Sequence, residues 1–323
     1  MESDVKISAM QNKKTENKLP FTADMLIILI PFCLLSVYFY GLTAVKLIFA
    51  SIITAIVCDF TGCVLLKREI ELSDLSAVNT GIITALLLSS STPVYIAVLT
   101  AAFAICVGKL PFGSYKNSPF TPAAVGIAFA SVCFPDYLFN YLPSLRDTGI
   151  FTSSLASMLT QGNTVNMTAP GLLSILVGNC PGPIGATCTV ALLATLIYLL
   201  IRRPNAFFSA AGFISICCLI AVLFPRVLSG RQASVIMELC SGMLMFTAVF
   251  LIPWPNKEFS SPLSAMLYGI TGGLFQMLIR YFGTFEEGAV FAVLFCDAIS
   301  FLFIKKEKTQ KTGKENKYEQ QVS

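Results

Sequence analysis

Ten apolar runs decide what this chain can fold into. They cover residues 25–41, 44–66, 78–92, 94–108, 118–134, 184–201, 206–225, 233–253, 264–282 and 288–304, and most lysines, arginines, aspartates and glutamates fall in the joints and tails. Only 12% of the 323 residues are charged and 55% are hydrophobic. That is about half the charge of a soluble domain. The pattern predicts an all-α polytopic membrane protein of about ten transmembrane helices, because every backbone group in a bilayer must be satisfied within its own segment. Several runs fall short of the ~20 residues that cross hydrocarbon. Run 78–92 reaches Ser91 and Thr92 just before Pro93, and run 118–134 contains Pro119 and Pro122. Short runs edged by proline predict broken helices that meet near the midplane.

Charge placement sets an expected orientation. Residues 1–24 form a polar tail carrying Lys6, Lys13, Lys14 and Lys18, without the pattern of a cleavable signal. Residues 305–323 form a Lys/Glu/Gln-rich tail. With the N-terminus cytoplasmic and ten spans following, only Lys46, Arg146, Arg226, Arg231 and Arg280 of the 22 basic residues lie outside. That bias favours a multi-pass protein of the cytoplasmic membrane with both termini cytoplasmic. The long Ser/Thr/Asn-rich connection over 135–170 is then extracytoplasmic.

Histidine is absent, which removes the usual near-neutral acid–base group and the commonest metal ligand. No catalytic residue of the soluble-enzyme kind is expected. The eleven cysteines form no Cys-x-x-Cys pair and lie mostly in apolar runs, as small hydrophobes would. Cys180 and Cys188 flank a Pro/Gly turn, a weak metal signal, so no metal site is assigned. No nucleic-acid partner is expected.

A weak internal repeat organises the membrane part. Thr80-Gly81, an apolar run, Lys109 and Gly113 in the first half are echoed by Ser241-Gly242, an apolar run, Arg280 and Gly283 in the second. Five spans per half put Lys109 inside and Arg280 outside, so the copies are inverted. The expected domains are repeat one over 25–134, the loop over 135–170 and repeat two over 171–304. The irregular stretch Gly108–Ala123 would then mark a site between the halves, since broken backbone at membrane depth must be buried in protein or line a cavity.

Ionisable groups inside the apolar runs default to functional candidates. Asp59 and Asp297 are read either as parts of an ion or proton path or as structural hydrogen-bond partners. Glu238 is expected within a turn or two of the outer interface. Lys109 and Arg280 are expected to cap helix ends, to neutralise a phosphate or flavin, or to snorkel to the interface. Trp254 falls where an interface anchor is expected.

Several of these motifs together resemble a family. Asp74 to Gly81, the Gly108-Lys109…Phe112-Gly113…Pro119-Phe120-Thr121-Pro122-Ala123 run, Pro181 to Gly185, and Ile279-Arg280-Tyr281-Phe282-Gly283…Glu287-Gly288 to Leu294 resemble the D subunit of the Rnf electron-transport complex. They are also similar to the B subunit of the sodium-pumping NADH:quinone reductase. The resemblance spans about residues 25–304. It implies ten helices in two inverted halves and a flavin-carrying electron path. It implies FMN joined through its phosphate to an extracytoplasmic hydroxyl, and a second, non-covalent flavin such as riboflavin. The family's esterified residue is the Thr of a Ser-Gly-Ala-Thr motif before the sixth span. Here the matching stretch is Ser154-Leu155-Ala156-Ser157, so Ser157 takes that position, with Thr152, Thr160 and Thr168 as further hydroxyls nearby. Thr80, Lys109 and Arg280 are the other candidate cofactor contacts. The partners implied are the remaining complex subunits, which would supply nicotinamide and iron–sulfur steps, and a flavin transferase. The chain would not catalyse a reaction alone.

The chain departs from the family pattern in places. Ser118 and Thr121 replace two Asn, Ala186 replaces an acid, Phe250 to Trp254 replace an Ala-Thr-Asp-Pro motif, and Asp297 replaces an Asn. Two other readings therefore stay open. Inverted repeats with broken helices also suit a small-solute or ion transporter without flavin, and a cofactor-free scaffold subunit would tolerate such losses.

Overall fold

The computed structural model describes residues 20–67, 75–113, 117–145, 154–160, 169–226, 231–254, 259, 261–283 and 287–299. Residues 1–19, the C-terminal tail and the hydroxyls Thr152 and Thr168 lie outside these residues, while Phe21 to Asp24, expected in the polar tail, form the first turn of a helix. The described residues contain helices and no strands. In chain order they are α1 (Phe21–Tyr40), α2 (Leu42–Leu65), α3 (Ser76–Leu87), α4 (Val94–Gly108), α5 (Pro122–Cys133), α6 (Pro135–Leu138), α7 (Leu155–Thr160), α8 (Ala169–Val177), α9 (Thr189–Arg202), α10 (Pro204–Leu223), α11 (Arg231–Cys240), α12 (Leu244–Leu251), α13 (Pro262–Phe282) and α14 (Ala289–Ile299).

Each of the ten apolar runs contains a helix, but their lengths differ. Among the described residues five helices are long and apolar enough to cross a membrane: α1, α2, α4 with the 3-10 turn that follows it, α10 and α13. A sixth span is possible by composition if α11 and α12 count as one, bent by 65° at residues 241–243. Helices α3, α5, α9 and α14 are shorter. At 12 residues, α3 rises about 18 Å against a hydrocarbon core of about 30 Å.

The breakers explain where helices begin. Pro122, Pro204 and Pro262 each sit in a first turn, where the missing N–H costs nothing. Ser261 caps α13 through a reciprocal box with Ser264, whose N–H donates to Ser261 Oγ at 3.2 Å. Gly41 turns α1 into α2 at a φ of +61°.

A helix that stops inside a bilayer leaves carbonyls open. For α3 the connection before α9 closes them. Ile184 N–H donates to the Leu88 carbonyl at 3.0 Å and Gly185 N–H to that of Leu86 at 2.8 Å. Ser36 of α1 fastens the same connection by donating to the Ile184 carbonyl at 2.9 Å. Residues of the two sequence halves are thereby tied through backbone.

Small residues set the closest helix contacts. Helix α10 packs along α13, and a Cβ on Gly269 would collide with the Ser209 carbonyl. Such close approach is how helices associate where lipid gives no hydrophobic drive. Between the halves lies an aromatic core. Phe32 of α1 meets Phe250 of α12 edge-on at 5.2 Å, and Phe246 adjoins Phe250 at 4.6 Å. Trp254 is 1% exposed, so it belongs to the core and is not a lipid-facing anchor.

The bundle has two chemically distinct ends. At one, Asp24 of α1 pairs with Arg202 at 3.0 Å and Arg203 at 2.8 Å. Asn79 of α3 donates to the Thr22 carbonyl there. At the other, Leu145 N–H bonds the Phe39 carbonyl, and Ser89 and Ser91 donate to the Asn140 carbonyl.

Candidate functional site

The candidate residues fall into four places. The first is the end of the bundle that holds Asp24. There Lys109, at the C-terminus of α4, pairs with Asp59 of α2 at 2.9 Å. Lys109 is 4% exposed. Asp59 lies near the end of α2 and not at its middle. Thr80 is also near this end, buried, with its hydroxyl donating to the Ser76 carbonyl at 2.8 Å.

The second place is the opposite end, where α10, α11 and α13 meet. Arg280 of α13 reaches Glu238 of α11 with Nε 3.2 Å from Oε2. It also donates to the Glu238 carbonyl at 3.2 Å and to the Ser241 hydroxyl, so it caps the last turn of α11. Arg226 adds a contact of 3.6 Å to Glu238 and lies over the Tyr281 ring. Glu238 is 1% exposed, far deeper than an interfacial glutamate. A buried carboxylate of this kind is held only by paired charge and hydrogen bonds.

Beside this cluster α11 breaks. Gly242 takes a φ of +60°, and a Cβ there would collide with the carboxylate of Glu287. Glu287 accepts the Met243 N–H at 2.7 Å, at the start of α12. Helix α12 is partly π-wound: Ile252 N–H bonds the Thr247 carbonyl at 2.9 Å. A wide turn next to a break is a frequent companion of functional sites.

The third place joins the halves. Asp297 of α14 is fully buried. It accepts the Thr121 N–H, the residue that precedes α5, at 2.7 Å and the Tyr268 hydroxyl at 2.6 Å. The irregular stretch before α5 is thus anchored by an acid from the second half. Ser118 holds the same stretch by donating to the carbonyls of Gly108 and Phe120.

The fourth place carries Ser157. Helix α7 is short, and the Ser157 N–H bonds the Ser154 hydroxyl at 3.1 Å. Leu155, Met158 and Leu159 are buried in a small cluster with Ile175, Cys180, Met237 and Cys240. Ser157 is half-buried, on the more open side of the helix. Because Met237 and Glu238 share α11, Ser157 lies toward the Arg280 end. A partly open hydroxyl on an anchored helix fits a phosphoester, which needs access for a bulky group and a fixed point of attachment. Thr80 and Lys109 lie at the opposite end from Ser157, and Arg280, at the same end, is engaged with Glu238 and Ser241. Among the described residues no group of three or more His, Cys, Asp or Glu is clustered as metal ligands would be.

Sequence reasoning passed over Asp24, Tyr268 and Gln276 and gave Glu287 no role. The available signal was a polar residue inside an apolar run. Gln276, in the middle of α13, is fully buried.

Comparisons with known proteins follow the same span. The sequence profile of the NQR2, RnfD, RnfE family matches residues 9–313. The chain is 29% identical over 282 residues to the D subunit of the Na(+)-translocating ferredoxin:NAD(+) oxidoreductase complex of Acetobacterium woodii, covering 84% of this chain and 83% of the relative. It is 26% identical over 295 residues to the D subunit of the ion-translocating oxidoreductase complex of Colwellia psychrerythraea, covering 80% and 84%. A Haemophilus influenzae protein of the same description is 25% identical over 317 residues, covering 84% and 87%. With apolar helices of spanning length and a profile match over nearly its whole length, this multi-pass membrane protein belongs to the NQR2, RnfD, RnfE family.

Proposed function

We propose that the chain is the membrane subunit of an ion-translocating oxidoreductase complex that carries electrons through flavin, with FMN esterified to Ser157 on the extracytoplasmic side. The observation that carries the reading is the family match over residues 9–313, joined to the half-open position of Ser157 on an anchored helix. Further support comes from relatives whose names describe subunits of ion-translocating complexes. The remaining subunits of such a complex, and a flavin transferase, are the partners the reading requires.

The proposed architecture is ten helices in two inverted halves. In its favour, α2 packs on α4 as α10 packs on α13, and Lys109 and Arg280 close the fourth helix of each half at opposite ends. The short helices α3, α5, α9 and α14 would reach part-way and be completed by their connections. With the N-terminus cytoplasmic, Asp24, Arg202 and Arg203 face the cytoplasm, as the excess of basic residues there favours.

Bound flavin would supply one- and two-electron redox chemistry. The chain's own part is positional. Ser157 provides the hydroxyl. Forming the ester requires an activated phosphate: the Ser157 Oγ–P bond forms as the bond to a leaving nucleotide breaks, and the hydroxyl proton passes to a base of the transferase. Leu155, Met158 and Leu159 hold α7 against α11, so attachment there is tied to the Glu238–Arg280 cluster. The proposal is confined to this one flavin, since Thr80 and Lys109 lie at the other end and Arg280 is engaged with Glu238 and Ser241. Asp297 is proposed as a joint between the halves that an ion or proton path would pass.

The test is ultraviolet fluorescence of the denatured chain on a gel, after co-expression with a flavin transferase. Fluorescence in the wild type that disappears in Ser157→Ala supports the assignment. Fluorescence that persists in the variant removes Ser157. A dark wild type favours the transporter or scaffold readings.

A further inference from the structure

We propose that the corner where α1 begins and α9 ends holds an anionic phospholipid, with its phosphate on Arg202 and its acyl chains along the paired faces of α1 and α9. The proposal goes beyond the reading above and does not depend on its flavin.

Depth comes first. Helix α1 has 20 residues and is long and apolar enough to span. It rises about 30 Å, roughly the thickness of the hydrocarbon core. Asp24, in its first turn, therefore lies at headgroup level, and so do the two arginines paired with it.

One carboxylate serves two guanidinium groups. Arg203 takes Oδ2 of Asp24 through both Nε at 2.9 Å and Nη2 at 2.8 Å. Arg202 meets only Oδ1, through a single Nη2 at 3.0 Å. The side chain of Asp24 is 3% exposed, whereas that of Arg202 keeps 38%. Tyr198, one turn earlier on α9, hydrogen-bonds the same guanidinium. Arg202 is thus held from two sides while part of its donor fork faces outward. The other described acids toward this end are engaged elsewhere, Asp59 with Lys109 and Asp297 with Thr121 and Tyr268. A fixed guanidinium with outward N–H groups fits a phosphate.

Apolar surface continues from the guanidinium. Ile27, Ile30 and Leu34 are exposed on α1, and Ile197 and Ile201 on α9. Each set repeats at helical spacing and so shares one face. The two helices pack together and run antiparallel, since α1 starts and α9 ends at this corner. With Asp24 and Arg202 facing each other, the step of about 100° per residue turns both apolar faces to the same side of the pair. A phosphate at headgroup level with hydrocarbon below it matches this order. A soluble phosphate or an acidic peptide leaves the apolar faces unused. An anionic headgroup is preferred to phosphatidylcholine, whose own quaternary ammonium offsets the attraction to arginine.

The test uses the whole complex, purified with its partner subunits and stripped of lipid in detergent. Phosphatidylglycerol is the probe and phosphatidylcholine the control, and native mass spectrometry counts the lipids retained. Arg202→Gln leaves Asp24 paired with Arg203. It is expected to weaken one phosphatidylglycerol site about tenfold, with phosphatidylcholine unchanged, and Arg202→Lys to weaken it less. Equal retention in wild type and Arg202→Gln, or equal retention of the two lipids in the wild type, overturns the site. A second arm needs no variant. Phosphatidylglycerol with a diazirine in its acyl chain should label segments 27–34 and 197–201 of the wild-type chain more than the phosphatidylcholine analogue does. Absence of label there, as when a partner subunit covers the face, overturns the proposal.

Discussion

Two helices end inside the bundle, and they end differently. Helix α3 stops at Leu87, and its terminal carbonyls are taken by backbone N–H groups of Ile184 and Gly185. No charge is used. Helix α11 stops at Cys240, and there Arg280 caps the turn while Glu287 receives the next N–H. The same physical problem, open backbone at membrane depth, has a neutral solution in one half and an ionic one in the other. The neutral joint fixes geometry. The ionic joint stores charge in low dielectric, where small rearrangements carry large energies.

Four substitutions break or sharpen that contrast. The largest effect is expected from Arg280→Met, which strands Glu238 in the core and should cost about 3–5 kcal/mol. Thermal unfolding of the purified chain or loss of assembled complex reads it, and adding Glu238→Leu should recover part of the loss. Gly242→Ala follows, at about 2–3 kcal/mol, since alanine must adopt a positive φ against the Glu287 carboxylate. Asp297→Asn keeps one carbonyl oxygen for two donors, Thr121 N–H and Tyr268 O–H, and should cost about 1–2 kcal/mol. It should also loosen α5, seen as faster hydrogen exchange at 121–126. The smallest effect is expected for Lys109→Met, about 1 kcal/mol, because Asp59 keeps 19% side-chain exposure where Glu238 has 1%. An Arg280→Met cost no larger than that of Lys109→Met would erase the distinction between the two ends.

The apolar runs were legible because hydropathy reports burial in lipid directly. All ten contain a helix, although helices shorter than a bilayer span blurred the boundaries. Pro93 announced a break through its backbone preference, whereas the run over 233–253 read as one segment and the break at Gly242 was not foreseen. Ion pairing was harder to read. Asp59 and Lys109 are 50 residues apart, and Glu238 and Arg280 are 42 apart; neither separation has a local periodicity. Glu238 read as interfacial because it lies near the start of the run over 233–253, yet Arg226 and Arg280 let it sit fully buried. Trp254 read as an anchor because tryptophan favours headgroups, yet it fills the core with Phe246 and Phe250. Ser157 was found only through its resemblance to a motif, since one serine in a polar loop has no distinguishing chemistry.

The central claim is that this chain carries flavin on Ser157. Mass spectrometry of the peptide bearing Ser154–Met158, taken from the chain matured with a flavin transferase, tests it most directly. The account predicts a peptide heavier by one FMN less one water, with fragmentation placing the added mass on Ser157. An unmodified peptide, or the same mass on another residue, would contradict it.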